Sequence, residues 1–121
     1  MDSCSKRNML LRRVSLESLI LKFLIVQKVN RGTSVQRLVK LTPAYMKYIR
    51  ELIEKRKIDV YYHLIGQEGH MMICDVASEE ELSAIVGDDP LFFDSQREIY
   101  PLITYEKHEN RFRNILTDPG S

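Results

Sequence analysis

The sequence predicts an α+β domain of the ferredoxin-like kind: strand, helix, strand, strand, helix, strand, with an antiparallel sheet and both helices on one face. Three observations predict it. Four short runs rich in apolar and β-branched residues, beginning near Phe23, Ile58, His70 and Glu98, have strand character. Two stretches with apolar residues at helical spacing fall between the first and second runs and between the third and fourth. Gly66-Gln67-Glu68-Gly69 joins the second and third runs with hairpin chemistry.

Residues 1–21 read as an extension outside this pattern. Lys6, Arg7, Arg12 and Arg13 precede an apolar run, which is the order of an export signal, and Arg12-Arg13 has the twin-arginine form. Glu17 and Lys22 interrupt the run and no small-residue cleavage site follows, so an extension, or a short helix joined to the first strand, is the expectation. The regular domain covers residues 22–106. Phe23 to Val29 is the first strand, with Asn30-Arg31-Gly32 as its turn. Val35, Leu38 and Val39 suggest a short helical segment. Thr42-Pro43 then restarts a helix, because threonine can cap the first amides and proline suits the first helical position. Tyr45, Met46, Ile49, Leu52 and Ile53 form its apolar stripe, and Lys55-Arg56-Lys57 suits the negative end of its dipole.

Ile58 to Ile65 and His70 to Val76 are the next strands. A four-residue loop at 66–69 would set His63 opposite Met72 and Tyr61 opposite Cys74. The strand period of two separates two faces. One holds Val60, Tyr62, Leu64, Met71 and Ile73, and is expected to meet the helices. The other holds Tyr61, His63, Ile65, His70, Met72 and Cys74. Ser78-Glu79-Glu80-Glu81 is a capping box opening a helix whose buried side is Leu82, Ile85 and Val86, and Gly87-Asp88-Asp89-Pro90 ends it. Glu98 to Tyr105 is the last strand, and Pro101 suits only an edge or a bulge. The tail, 107–121, carries Phe112, Ile115 and Leu116 at helical spacing and is expected to pack on a neighbouring subunit.

Length and composition bound the function. The chain's 121 residues suit one domain. With 18 basic and 17 acidic residues its formal net charge is +1, unlike the basic excess of a phosphate-tracking nucleic-acid binder. No stretch has the roughly 20 apolar residues of a membrane span. The 2 cysteines, Cys4 and Cys74, make neither a zinc pattern nor a disulfide framework, which points to reduced thiols and the cytoplasm. Both sheet faces are apolar, more than a lone domain this small buries easily. A second copy closing two sheets into a shared barrel would cover the outer face, as would the N-terminal extension.

From Leu52 to Tyr105 the chain resembles the muconolactone isomerase family of the dimeric α+β barrel superfamily. The resemblance rests on Leu64-Ile65-Gly66, on Asp75-Val76-Ala77-Ser78, on Leu82, on Pro90-Leu91-Phe92 and on Glu98, with Thr42-Pro43 as the helix start. It covers about half the chain well and most of 22–106 loosely. It implies a cofactor-free protein forming dimers and larger rings, with a ligand cavity between the sheet and the neighbouring subunit. The reaction it implies moves a double bond within a lactone by proton transfer, which needs an acid/base group and a partner for the enolate. The chain departs from the family pattern at its polar positions. Tyr45 and Lys47 stand where the family has carboxylates, Gln67 where it has a histidine, and His63 where it has an arginine.

His63 is the candidate catalytic group, since imidazole ordinarily titrates near 6.5 and suits proton transfer. Tyr61, His70, Met72, Cys74 and Tyr100 are the candidate ligand-binding residues. The histidines lack metal-ligand spacing with carboxylates, so no metal is expected, and the resemblance implies no cofactor. The expected ligand is a small organic acid or lactone. A non-catalytic assembly or ligand-sensing module and a cofactor-free monooxygenase-like member of the same superfamily are the alternatives.

Overall fold

A computed structural model describes residues 20–117. The extension expected at 1–21 lies, as far as residue 19, outside the described residues, as do Cys4, the Arg12-Arg13 pair and residues 118–121. Strand β1 (Leu21–Val29) leads to helix α1 (Val35–Glu54), strands β2 (Ile58–His63) and β3 (Gly69–Val76), helix α2 (Glu79–Gly87), strand β4 (Ser95–Leu102) and helix α3 (Tyr105–Thr117). The sheet order is β2-β3-β1-β4, with every neighbour antiparallel. Ile49 and Leu52 of α1 and Leu82 and Ile85 of α2 join Phe23, Ile25, Met72, Cys74 and Val76 of the sheet in one buried core. The chain therefore has the expected α+β, ferredoxin-like fold.

The helix expected to restart at Thr42-Pro43 does not restart there. A single helix of 20 residues begins at Val35, and Ser34 caps it by accepting the Arg37 amide at 3.1 Å. Pro43 sits inside it and cannot donate to the carbonyl of Val39. Val39 is exposed, so water can take that acceptor. The Thr42 hydroxyl, free of any capping task, donates to the Leu38 carbonyl at 2.6 Å. At the other end the Lys57 amide donates to Leu52 O at 2.9 Å and the Arg56 amide to Ile53 O at 3.0 Å. These bonds form a Schellman motif, with Arg56 at φ 59° in the position glycine usually takes.

The hairpin register differs from expectation by two residues. His63 pairs with His70 and Tyr61 with Met72. The loop lies one residue earlier, at 65–68, because Gly69 belongs to β3: a side chain there would meet the backbone of β1. The Leu64 amide closes the loop on Gly69 O at 2.9 Å, and Gly66 turns it at φ 89°. An even shift leaves every residue on its own face.

The face expected to meet the helices is the wrong one. His70, Met72, Cys74 and Val76 lie beneath the helices, paired on β1 with Gln27, Ile25, Phe23 and Leu21. Val60, Met71 and Ile73 lie on the opposite face with Leu24 and Val26 and are only half-buried, and Tyr62 is exposed there. Both faces are apolar, so hydropathy could not rank them. The His70 imidazole on the helix-side face is hydrogen-bonded within it, to the Tyr45 hydroxyl.

The capping box at α2 forms: Ser78 Oγ accepts the Glu81 amide at 3.1 Å, and Glu81 Oε2 accepts the Ala77 amide at 3.1 Å. Lys57 pairs with Glu81 Oε1 at 2.5 Å and ties the start of α2 to the end of α1. Strand β4 spans Ser95–Leu102 rather than Glu98 to Tyr105, because Thr104 starts the next helix: its hydroxyl accepts the Lys107 amide and its carbonyl the His108 amide. Pro101 lies on an edge strand, where it is tolerated. Helix α3 forms as the spacing of Phe112, Ile115 and Leu116 predicts, and none of its residues is buried.

Candidate functional site

Between α1 and the sheet, at the end where β1 and β3 meet the hairpin, lies a cleft of about 240 Å³. Its walls bring together Gln27 of β1, Tyr45 and Met46 of α1, Tyr61 and His63 of β2, and His70 of β3. The strand period of two and the His63–His70 pairing set both imidazoles on this side of the sheet. A larger depression, rimmed by Lys28, Arg31 and Gln96, shares Val29, Leu38 and Glu68 with the cleft and continues it outwards.

Tyr45 is the hub of the polar groups. Its hydroxyl lies 3.0 Å from the Tyr61 hydroxyl, 2.8 Å from His70 Nδ1 and 3.2 Å from His70 Nε2. The hydroxyl proton serves one ring nitrogen at a time, and the same oxygen can accept the ring N–H of the other. The His70 ring also stacks on Tyr61, with centroids 4.9 Å apart. His70 is 4% exposed. Burial lowers its pKa to about 4, with Asp89 opposing and His63 assisting, so the ring is neutral at pH 7. Burial likewise raises the Tyr45 and Tyr61 hydroxyls above the ordinary tyrosine value, and both stay protonated. The cleft therefore offers neutral donors and acceptors rather than charge.

One wall is held from below. Asp89 Oδ1 accepts the Leu91 amide at 2.8 Å, and Asp89 Oδ2 pairs with Arg97 at 3.2 Å. Both side chains of that pair are largely buried, and Arg97 also lies over the Phe92 ring. This fixes Leu91, which lines the cleft.

The residues expected from sequence divide into three sets. Tyr61, His63 and His70 come together in the cleft. Met72 and Cys74, 3% and 0% exposed, belong to the core behind it and do not line it. Burial pushes the Cys74 thiol up to about 11, so it holds its proton. Tyr100 pairs with Leu24 on the opposite face of the sheet, where its hydroxyl donates to Glu98, so it stands apart from the other five. Sequence reasoning missed Tyr45 and Gln27. Tyr45 was legible in the stripe with Met46 and Ile49 and as the residue that stands where the resembled family has a carboxylate, which was the signal for it. Gln27, a lone polar residue inside the apolar first strand, was the available signal. Among the described residues, no three His, Cys, Asp or Glu side chains gather in a form that could hold a metal ion. No helix among them is long and apolar enough to cross a membrane.

No protein-family model matches the chain, and no curated protein matches it in sequence. Among solved structures it is similar to 5-chloro-2-hydroxyhydroquinone dehydrochlorinase from Burkholderia phenoliruptrix AC1100, in complex with 2,5-dihydroxybenzoquinone. The similarity has a TM-score of 0.50 and 21% identity and covers 63% of this chain and 90% of the other. At that identity the two share a fold, and the ferredoxin-like architecture is the conclusion the comparison carries.

Proposed function

We propose that this chain binds, and isomerises by proton transfer, a small aromatic-derived acid or lactone in the cleft between α1 and the sheet. The observation that carries the reading is the convergence of His63, His70, Tyr45 and Tyr61 on one otherwise largely apolar cleft. Ligand sites combine such a lining with a few aimed polar groups. A volume of about 240 Å³ lies just under the usual range of roughly 300–1,000 Å³ and restricts the ligand to a single ring. The similar dehydrochlorinase was solved with a single-ring ligand, which agrees with this size.

In this reading His63 moves the proton. It lines the cleft and is exposed, so it can exchange with solvent. Neutral His70 and the Tyr45 hydroxyl hydrogen-bond the oxygen on which enolate charge develops. The half-buried sheet face of Leu24, Val26, Val60, Met71 and Ile73 takes a second copy of the chain, so the working form is a homodimer or larger ring. No cofactor enters this scheme.

Turnover of a lactone panel, followed by ultraviolet absorbance, tests the reading. His63→Ala is expected to lower turnover about a hundredfold, the scale of a general acid or base. Unchanged turnover in that variant would remove His63 from the role. A second reading, a non-catalytic assembly module, is favoured by the exposed apolar stripe of α3. Absence of turnover with every lactone would leave that reading in its place.

A further inference from the structure

Gln27 is the polar group that the proposed chemistry does not use. It is 1% exposed, lies on the helix side of β1 opposite His70, and lines the cleft. Its Nε2 donates to Ser95 Oγ at 3.1 Å. Among the described residues no protein donor reaches its carboxamide oxygen. Among the described residues the Gln27 oxygen is not one of the side-chain atoms that are both sealed from solvent and unbonded, so it is not sealed. Gln27 lines the cleft, which is the ligand-sized space beside it. A glutamine in an apolar strand costs stability unless its polar atoms are bonded, and here half of the amide is bonded while the other half has no protein donor among the described residues.

We infer that Gln27 selects the ligand: its carboxamide oxygen, oriented by Ser95, accepts a hydrogen bond from a hydroxyl on the bound ring. This rests on the ligand-binding reading above and narrows it to ligands that carry a phenolic or enolic hydroxyl. A polar atom aimed at a substrate hydroxyl discriminates against an analogue without it, because the atom is then desolvated and unpaired. The neighbouring groups suit the same ligand, since His70 and Tyr45 are neutral and would not be titrated by it.

Hydroquinone and its near-isostere para-difluorobenzene test the inference. Both fill the same ring-sized space, and only the first donates. Affinities are read by ligand-observed magnetic resonance on the full chain. The wild type is expected to prefer hydroquinone by about tenfold. Gln27→Met keeps the side-chain length and is expected to bring that preference below about threefold while still binding para-difluorobenzene. Ser95→Ala releases the carboxamide and is expected to weaken the preference by at least about threefold; it serves if Gln27→Met fails to fold, as judged by circular dichroism. An unchanged preference in a folded variant overturns the role of Gln27 and leaves the cleft as a binding site. Binding of neither probe by the wild type overturns the binding reading, and the role of Gln27 with it.

Discussion

Lowering the pH from about 6.5 to 4 is expected to remove about 3 kcal/mol of stability through His70 alone. The folded ring is buried and its pKa is held at about 4, against the ordinary 6.5 of the unfolded chain. Between those values the unfolded chain binds the proton and the folded chain does not. Stability is thus complete above about 6.5, falls as the pH drops, and stops falling for this reason below about 4. The groups around the ring are Tyr45, Tyr61, His63, Asp89 and Arg97. Of these, Asp89 favours the charged ring, while His63 and Arg97 oppose it. Urea midpoints across this window check the expectation. His70→Phe keeps the stack on Tyr61 and leaves the Tyr45 hydroxyl its Tyr61 partner, so it should flatten the window. A wild type as stable at pH 4 as at 6.5 would contradict a buried neutral His70.

Gly69→Ala is expected to cost about 3 kcal/mol, the upper end of overpacking. A Cβ there would lie 2.4 Å from Gln27 O and 3.1 Å from Lys28 Cα. Both obstacles are backbone, so β1 and β3 must separate to admit it. The separation falls beside Gln27 and His70, so the cleft should lose ligand affinity along with the fold losing stability. Gly32 has open space around it, and Gly32→Ala is the control, expected to change stability by no more than about 0.5 kcal/mol. Equal thermal midpoints for Gly69→Ala and the wild type would show that the two strands do not approach so closely.

The element order was legible because strand runs, caps and glycine turns are local signals. Ser78-Glu79-Glu80-Glu81 is read within four residues, and it forms as read. What failed was non-local. The register depended on Gly69 meeting β1, a contact 42 residues away at Gln27. The continuous α1 depended on Ser34 as the cap and on an exposed Val39 carbonyl beside Pro43. The choice of sheet face depended on Tyr45 bonding His70 across 25 residues, which makes an imidazole acceptable in a packed layer. Tyr61, His63 and His70 were found because alternation on one strand pair is a short-range rule. Tyr45 and Gln27 were missed because they come from other elements, and Tyr100 was grouped with them although its strand presents it to the far face.

In the proposed function, ligands enter the cleft beneath α1, on the helix side of the sheet. Methyl resonances give a direct measurement. Met46 and Leu91 report the cleft, and Met71 and Ile73 report the opposite face. On titration with hydroquinone, the Met46 and Leu91 methyls are expected to shift in a saturable way while Met71 and Ile73 stay in place. Saturable shifts confined to Met71 and Ile73 would contradict the claim and move the site to the other face of the sheet.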